Sequence, residues 1–183
     1  STLPGSGVFV NGADGRTKHL VSDEEFGDLR LHIELLVPRG SNSGVYFMGR
    51  YEIQVRDSWM DNSHYPGNEC GGIYQRWDES RKNKGYEGRS PLFHAAAPPG
   101  QWQWFDVLFR APRFNAAGDK IKNARFEKVY HNGYLVHENL EVTGPTRSSM
   151  FEDEQPSGPI QLQGDHGPVA YRNIRVSSAD VNP

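Results

Sequence analysis

A single cysteine, Cys70, stands in 183 residues, so no internal disulfide can form and cysteine usage leaves the redox compartment open. A lone thiol in this setting reads as a small, partly buried filler rather than a nucleophile. No stretch approaches the roughly 20 consecutive apolar residues that cross a bilayer as a helix, so no membrane span is expected. The opening "STLPGSG" lacks the charged-then-apolar pattern of a secretion signal, and a cleaved or lipid-anchored leader would have to lie ahead of it. There is no long basic run either: the formal charge is −3 and the pI near 6.2. Nucleic acid is therefore not an expected partner. Also missing are a P-loop, a dinucleotide fingerprint, a nucleophile elbow and a Cys-x-x-Cys pair, which removes several large enzyme classes. No His-x-His spacing or calcium-type acidic loop points to a metal. Asn42, Asp57 and Asp165 would supply oxygens to one only if the fold gathered them. Amphipathic helices are absent as well, apart from one turn expected near Asp23–Phe26.

What the chain does have is 20 glycines, 12 prolines and many aromatics, the composition of short strands and frequent turns. Leu29, Leu31, Ile33 and Leu35 alternate with Arg30, His32 and Glu34, the period of a half-buried strand. Pro38-Arg39-Gly40 turns the chain into "SGVYFMG", with Val45 and Phe47 inward. "YEIQVRD" follows, with Tyr51, Ile53 and Val55 of one parity and Glu52, Gln54 and Arg56 of the other. Regular patterning then lapses from about 58 to 99, in a loop rich in aromatics (Trp59, Tyr65, Tyr74, Trp77, Tyr86, Phe93) within which "GGIYQ" reads as a short strand. A loop of this length with this content is expected to be ordered and functional. "WQWFDVLFRAPRF" predicts a central strand that Pro112 ends, and Asn132-Gly133 predicts a tight hairpin. "GPIQLQGDHGPVAYRNIRV" predicts two further strands joined through Asp165 and His166. About nine to eleven strands in one domain spanning 1–183 imply an all-β, two-sheet antiparallel sandwich of jelly-roll type, a closed barrel being the alternative.

Chemistry is sought at strand spacing. Glu52 and Gln54 share a face about 6 to 7 Å apart, Asp57 follows at the strand end, and Gln161 and Gln163 repeat the pairing. Such residues can simply be a solvated outer face. Glutamine, however, offers a donor and an acceptor suited to sugar hydroxyls, where a face built for solubility would carry lysine and glutamate. His166, glycine-flanked and beside Asp165, can exchange a proton near neutral pH, or the two can merely cap a turn. His131 precedes the hairpin turn and reads as cross-strand packing. Trp59, Tyr74, Trp77 and Tyr86 are candidates for stacking on a sugar ring, whereas Trp102, Trp104, Phe105 and Phe109 read as core or sheet cover. Arg172 is ambiguous. If Ile174 and Val176 face the core, alternation sends Arg172 inward too, unless a bulge re-aims it or an acid such as Asp106 pairs with it.

Five ordered blocks, "NSGVYFMGRYEIQVRDS", "CGGIYQ", "PPGQWQWFDVLFRAPRF", "HNGYLVHENLEVTGPT" and "GPIQLQGDHGPVAYRNIRV", resemble the successive blocks of the 3-keto-disaccharide hydrolase domain family. The resemblance runs from about Phe26 to Val176. It implies a concanavalin A-like sandwich, a periplasmic or extracellular bacterial protein, and a glycoside substrate oxidised to a ketone at C3 of one sugar. The positions it carries over are Glu52, Gln54, Asp57, Tyr74, Gln163, Asp165, His166 and Arg172, without individual roles.

A C3 ketone acidifies the C2 proton, so a base can form an enolate that expels the C1 substituent before water adds. That route needs a base, a donor to the enolate oxygen and an acid for the leaving group. Glu52 and His166 are expected as base and acid, Arg172 or a divalent metal as the polarising group, and Gln54, Gln163 and Tyr74 as sugar contacts. Direct hydrolysis by the carboxylates of Glu52 and Asp57 is the mechanistic rival. A non-catalytic carbohydrate-binding module is the functional one, with a surface protein-interaction domain behind it.

Overall fold

The computed structural model describes residues 2–3, 7–60 and 65–179, so residues 61–64 of the long loop lie outside it. In chain order the strands are β1 (Thr2–Leu3), β2 (Val8–Val10), β3 (Leu20–Phe26), β4 (Leu29–Leu36), β5 (Asn42–Phe47), β6 (Tyr51–Arg56), β7 (Arg76–Trp77), β8 (Gly85–Tyr86), β9 (Trp102–Arg110), β10 (Arg113–Phe114), β11 (Lys120–Lys122), β12 (Ala124–His131), β13 (Tyr134–Val142), β14 (Gly158–Leu162) and β15 (Ala170–Ser178). Among the described residues there is no helix. The turn expected at Asp23–Phe26 is instead the end of β3. Its three consecutive acids offer no apolar stripe to bury a helix, and β14 supplies the antiparallel partner.

Two sheets face each other. One has seven strands in the order β1-β2-β15-β4-β9-β12-β13, the other four in the order β3-β14-β5-β6, all antiparallel. This is the two-layer antiparallel sandwich expected from the strand pattern. Alternation puts Leu29, Leu31, Ile33, Leu35, Phe105, Val107 and Phe109 of the larger sheet against Val45, Phe47, Ile53 and Val55 of the smaller, and all are buried. Phe109 is central: its ring lies 5.1 Å from Phe47, 5.1 Å from Phe126 and 5.6 Å from Tyr51, in tilted contacts.

Asn132 and Gly133 both have positive φ (51° and 82°), as the two-residue hairpin of β12 and β13 demands. "GGIYQ" is not a regular strand; Ile73 alone bridges Ile53 on one side and Arg89 on the other. The "GDHGP" link is not a hairpin corner. β14 pairs with β3 and β5, whereas β15 pairs with β2 and β4, so the segment crosses from one sheet to the other. Alternation within a strand reports which face is polar but carries no information on which sheet the strand joins.

Truncating the aromatic at the centre of this core tests the packing. Phe109→Ala is expected to lower unfolding free energy by about 3 to 5 kcal/mol, read from urea denaturation, with the hairpin mutation Gly133→Ala costing less because it acts at one exposed turn.

Candidate functional site

The outer face of the four-stranded sheet is polar in sequence yet sealed from water. Register aligns Gln161 of β14 with Tyr46 of β5, and Tyr46 with Glu52 of β6. Beyond β6 the loop strand continues the sheet, because the Tyr74 N–H donates to the Glu52 carbonyl at 3.1 Å and the Gln54 N–H to that of Gly72 at 2.8 Å. One row across the sheet therefore reads Gln161, Tyr46, Glu52, Tyr74. The next reads Gln163, Gly44, Gln54, Gly72, since the Gln163 N–H donates to the Gly44 carbonyl and Gly44 lies opposite Gln54. Glu52 is 3% exposed and Gln161 2%.

The glycine in the second row makes room for the carboxyl group in the first. A Cβ on Gly44 would come within 2.3 Å of Glu52 Oε1 and 3.0 Å of its Cδ, so the acid leans over a backbone that carries no side chain. The Tyr46 hydroxyl donates to this carboxyl. Glu52 Oε2 and the carbonyl oxygens of the Gln54 and Gln161 side chains are buried without a hydrogen-bond partner. Buried polar atoms left open in this way are costly, and three of them on one face mark a place where a polar ligand would complete the bonding.

Burial pushes the Glu52 carboxyl up to about 8, and the Tyr46 hydrogen bond opposes this only in part. At neutral pH the group is protonated. With Oε1 over Gly44 and Oε2 unpartnered, it is a proton donor without an acceptor. Burial likewise raises the Tyr46 phenol, reinforced by Glu52 and by the nearby Tyr74 and Asp165. Tyr65 and Tyr74 share a hydrogen bond of 3.0 Å at the edge of the row, and burial followed by that bond lifts Tyr65 to about 12.

Asp165 and His166 form the rim. His166 Nδ1 bonds Asp165 Oδ1 at 2.6 Å, leaving Nε2 free, and the two side chains are about half exposed. Burial raises the Asp165 carboxyl, but the His166 hydrogen bond and charge outweigh it and hold the group below its usual range. His19, whose Nδ1 accepts the Gly164 N–H, stands 3.9 Å from the same carboxylate.

Two proposed site residues are elsewhere. The Asp57 carboxylate accepts the Gly40 N–H at 2.8 Å and lies near the Trp59 N–H, holding the turn beside Arg39 and Pro99. Five residues of strand rise put it about 17 Å from Glu52, beyond the roughly 5 to 9.5 Å of a two-carboxylate glycosidase. Arg172 belongs to the other sheet. A bulge between Arg172 and Arg175, with Asn173 at φ 50°, turns it outward, where it bonds Glu34 at 2.6 Å and lies 3.9 Å over the Trp102 ring. Among the described residues no group of three or more His, Cys, Asp or Glu side chains is placed to hold a metal ion. Of the stacking candidates, Trp77 is covered by Arg147 and Tyr86 by Arg81, each at 3.8 Å; Tyr74 stays beside Glu52.

Tyr46, Tyr65, His19 and Gly44 went unnamed as site residues in the sequence. For Tyr46 the signal was present, because Val45 and Phe47 inward put it on the face of Glu52. His19 arrives through a contact with Gly164 that no local pattern encodes, and Tyr65 through the fold of the irregular loop that brings it to Tyr74.

The raised Glu52 pKa links stability to pH. The unfolded carboxyl titrates near 4.5 and the folded one near 8, so the folded state holds the extra proton between these values. Stability is therefore expected to fall as pH rises through that window, by about 1.4 kcal/mol per unit. Glu52→Gln should remove most of this slope in urea denaturation at pH 5 and pH 8. Gly44→Ala should displace the carboxyl and move the Glu52 titration, followed by NMR of its side-chain carbon.

Comparison with known proteins places this geometry in a family. The profile of the 3-keto-alpha-glucoside-1,2-lyase-like domain matches residues 4–177. The chain is similar to a candidate glycosyl hydrolase from Parabacteroides distasonis, with 27% identity, a TM-score of 0.75, and 95% of this chain and 72% of that one covered. A second from the same organism shares the fold at 20% identity and TM-score 0.64, over 95% of this chain and 88% of that one. No curated protein matches the chain. The chain thus belongs to the 3-keto-alpha-glucoside-1,2-lyase-like domain family, a carbohydrate-active, glycosyl hydrolase-like family with a concanavalin A-like sandwich.

Proposed function

We propose that the protein cleaves the glycosidic bond of 3-keto-glycosides by elimination followed by hydration, with Glu52 as the acid that protonates the leaving oxygen. The observation that carries this reading is the buried Glu52 carboxyl, held near pKa 8 over Gly44 with Oε2 unpartnered. A group protonated at neutral pH and already desolvated donates its proton without first shedding water.

His166, oriented by Asp165 through Nδ1, takes the C2 proton on Nε2. The electron pair passes to the C3 oxygen, and as the enolate collapses the C1–O bond breaks and Glu52 transfers its proton to the departing oxygen. Water then adds at C1 of the enone and passes a proton to the Glu52 carboxylate, while His166 gives a proton to C2, which yields the free 3-keto sugar and restores both side chains. Gln54, Gln161 and Tyr74 offer donors and acceptors to ring hydroxyls, and the Tyr46 and Tyr65 phenols bracket the same row. The family description supports the substrate class, and the separation of Asp57 from Glu52 favours elimination over direct two-carboxylate hydrolysis.

Incubation with a 3-keto-glucoside in deuterium oxide is expected to release the aglycone and leave deuterium at C2 of the product. Cleavage without C2 deuterium would defeat the elimination route. Glu52→Gln should lower kcat by about 10² to 10⁴ with the fold intact, and the wild-type rate should fade as pH rises through about 8 as the acid is lost. Sugar binding with no turnover by the wild-type protein would leave a carbohydrate-binding module instead.

A further inference from the structure

The opposite side of the molecule carries a second polar face that the proposed chemistry does not use. Register across the seven-stranded sheet aligns Ser177, Arg30, Leu108 and Lys128 in one outward row, and Arg175, His32, Asp106 and Tyr130 in the next. Val176, Leu31, Val107 and Val129 lie between the rows and point into the core, so the eight outward residues share one surface. At strand spacing they cover roughly 15 by 7 Å, and they line a shallow groove of about 300 Å³.

The charges on this surface are unbalanced. Arg30, Lys128 and Arg175 are exposed, and none forms an ion pair or side-chain hydrogen bond among the described residues. Three of the nearby carboxylates are already engaged. Asp106 is bonded to His32 at 2.6 Å, Glu34 to Arg172 and Asn173, and Glu127 to Arg110 at 3.0 Å. Glu138 stands opposite Lys128 on β13 without an ion pair. Three free cations thus meet over one groove whose floor is Leu108, with the Tyr130 and Ser177 hydroxyls at its sides. Trp104, 37% exposed, continues the same face one row further on, opposite Glu34.

We infer that this face binds an anionic polysaccharide, a chain of sugars bearing carboxylates or sulfates. Charge complementarity fixes the sign of the ligand. The open, flat groove with aromatic and hydroxyl borders fits an extended glycan, whose rings can lie on Tyr130 and Trp104 while its acidic groups reach Arg30, Lys128 and Arg175. The surface lies on the other sheet from Glu52, so an acidic polymer held there would not occupy the candidate active site.

The test is an NMR titration of the full chain with an oligogalacturonate and with a sulfated dextran oligomer, beside a neutral maltooligosaccharide, inorganic sulfate and a short RNA. At least one charged oligosaccharide is expected to bind, shifting amides of Arg30, Lys128 and Arg175, and weakening as salt rises. Carboxylate and sulfate recognition are distinguished by which of the two binds. The combined Arg30→Gln, Lys128→Gln and Arg175→Gln variant should lose about tenfold in affinity. Arg30→Lys with Arg175→Lys should keep most of the binding and guards against a folding artefact. The proposal is overturned if the neutral oligosaccharide or inorganic sulfate binds as well as the charged oligomers, or if RNA binds more tightly. It also falls if neither charged oligomer binds, if the shifts fall on the Tyr46 and Tyr74 face, or if the triple variant binds undiminished.

Discussion

The desolvation of one carboxyl group, Glu52, is the constraint around which the polar face is arranged. An ionised acid in that position would carry a cost of several kcal/mol, and the fold avoids it by leaving the proton on. Two features beside it suit a neutral acid: among the described residues no cation lies against it, and Gly44 yields the space beneath it, while the Tyr46 hydrogen bond, which favours the ionised form, offsets the burial only in part. The same burial that makes the site expensive gives it chemical value, because a carboxyl that stays protonated at neutral pH can serve as a proton donor.

Covering that face requires the long loop to be held firmly, and two buried histidines help to hold it. His137 Nε2 donates to the Gly71 carbonyl at 2.8 Å, and His131 Nε2 donates to Gln103 Oε1 at 2.7 Å. Burial lowers their pKa values to about 4 and about 3, so both stay neutral and keep these tautomers across the physiological range. Gly71, at φ 83°, passes so close to His131 that a Cβ would stand 3.0 Å from Nδ1. The backbone after Cys70 can then pair with the free edge of β6 and bring Tyr74 beside Glu52. Cys70 itself is buried, which pushes its thiol up to about 12 and leaves it an inert filler, as its isolation in the sequence suggested.

Much of this was legible in the sequence, and the exceptions share a cause. Period-two alternation put Glu52, Gln54 and Gln161 on one face and Leu29 to Leu35 on another, because a strand's pleat is a local property. The Asn132-Gly133 turn was legible for the same reason. The sheet to which each strand belongs was not, and the polar residues of β4 and those of β5 and β6 lie on the two opposite outsides of the sandwich. Arg172 shows the limit most clearly: alternation counted back from Val176 is valid only until Asn173, where a left-handed residue resets the parity. Asp57 shows another, since five residues along a strand is a distance as well as a sequence separation.

The two outer faces show how one alternation rule yields opposite chemistry. On the four-stranded sheet a covering loop excludes water, so charge is suppressed and the surviving ionisable group is a carboxylic acid. On the seven-stranded sheet nothing among the described residues lies over Arg30, Lys128 and Arg175, so full charges persist and stay unpaired. Burial, rather than residue type alone, decides which face can transfer a proton and which can only attract a counter-charge. A sandwich offers both environments from identical strand geometry, because each sheet turns one face to the shared core and the other to whatever the loops leave above it.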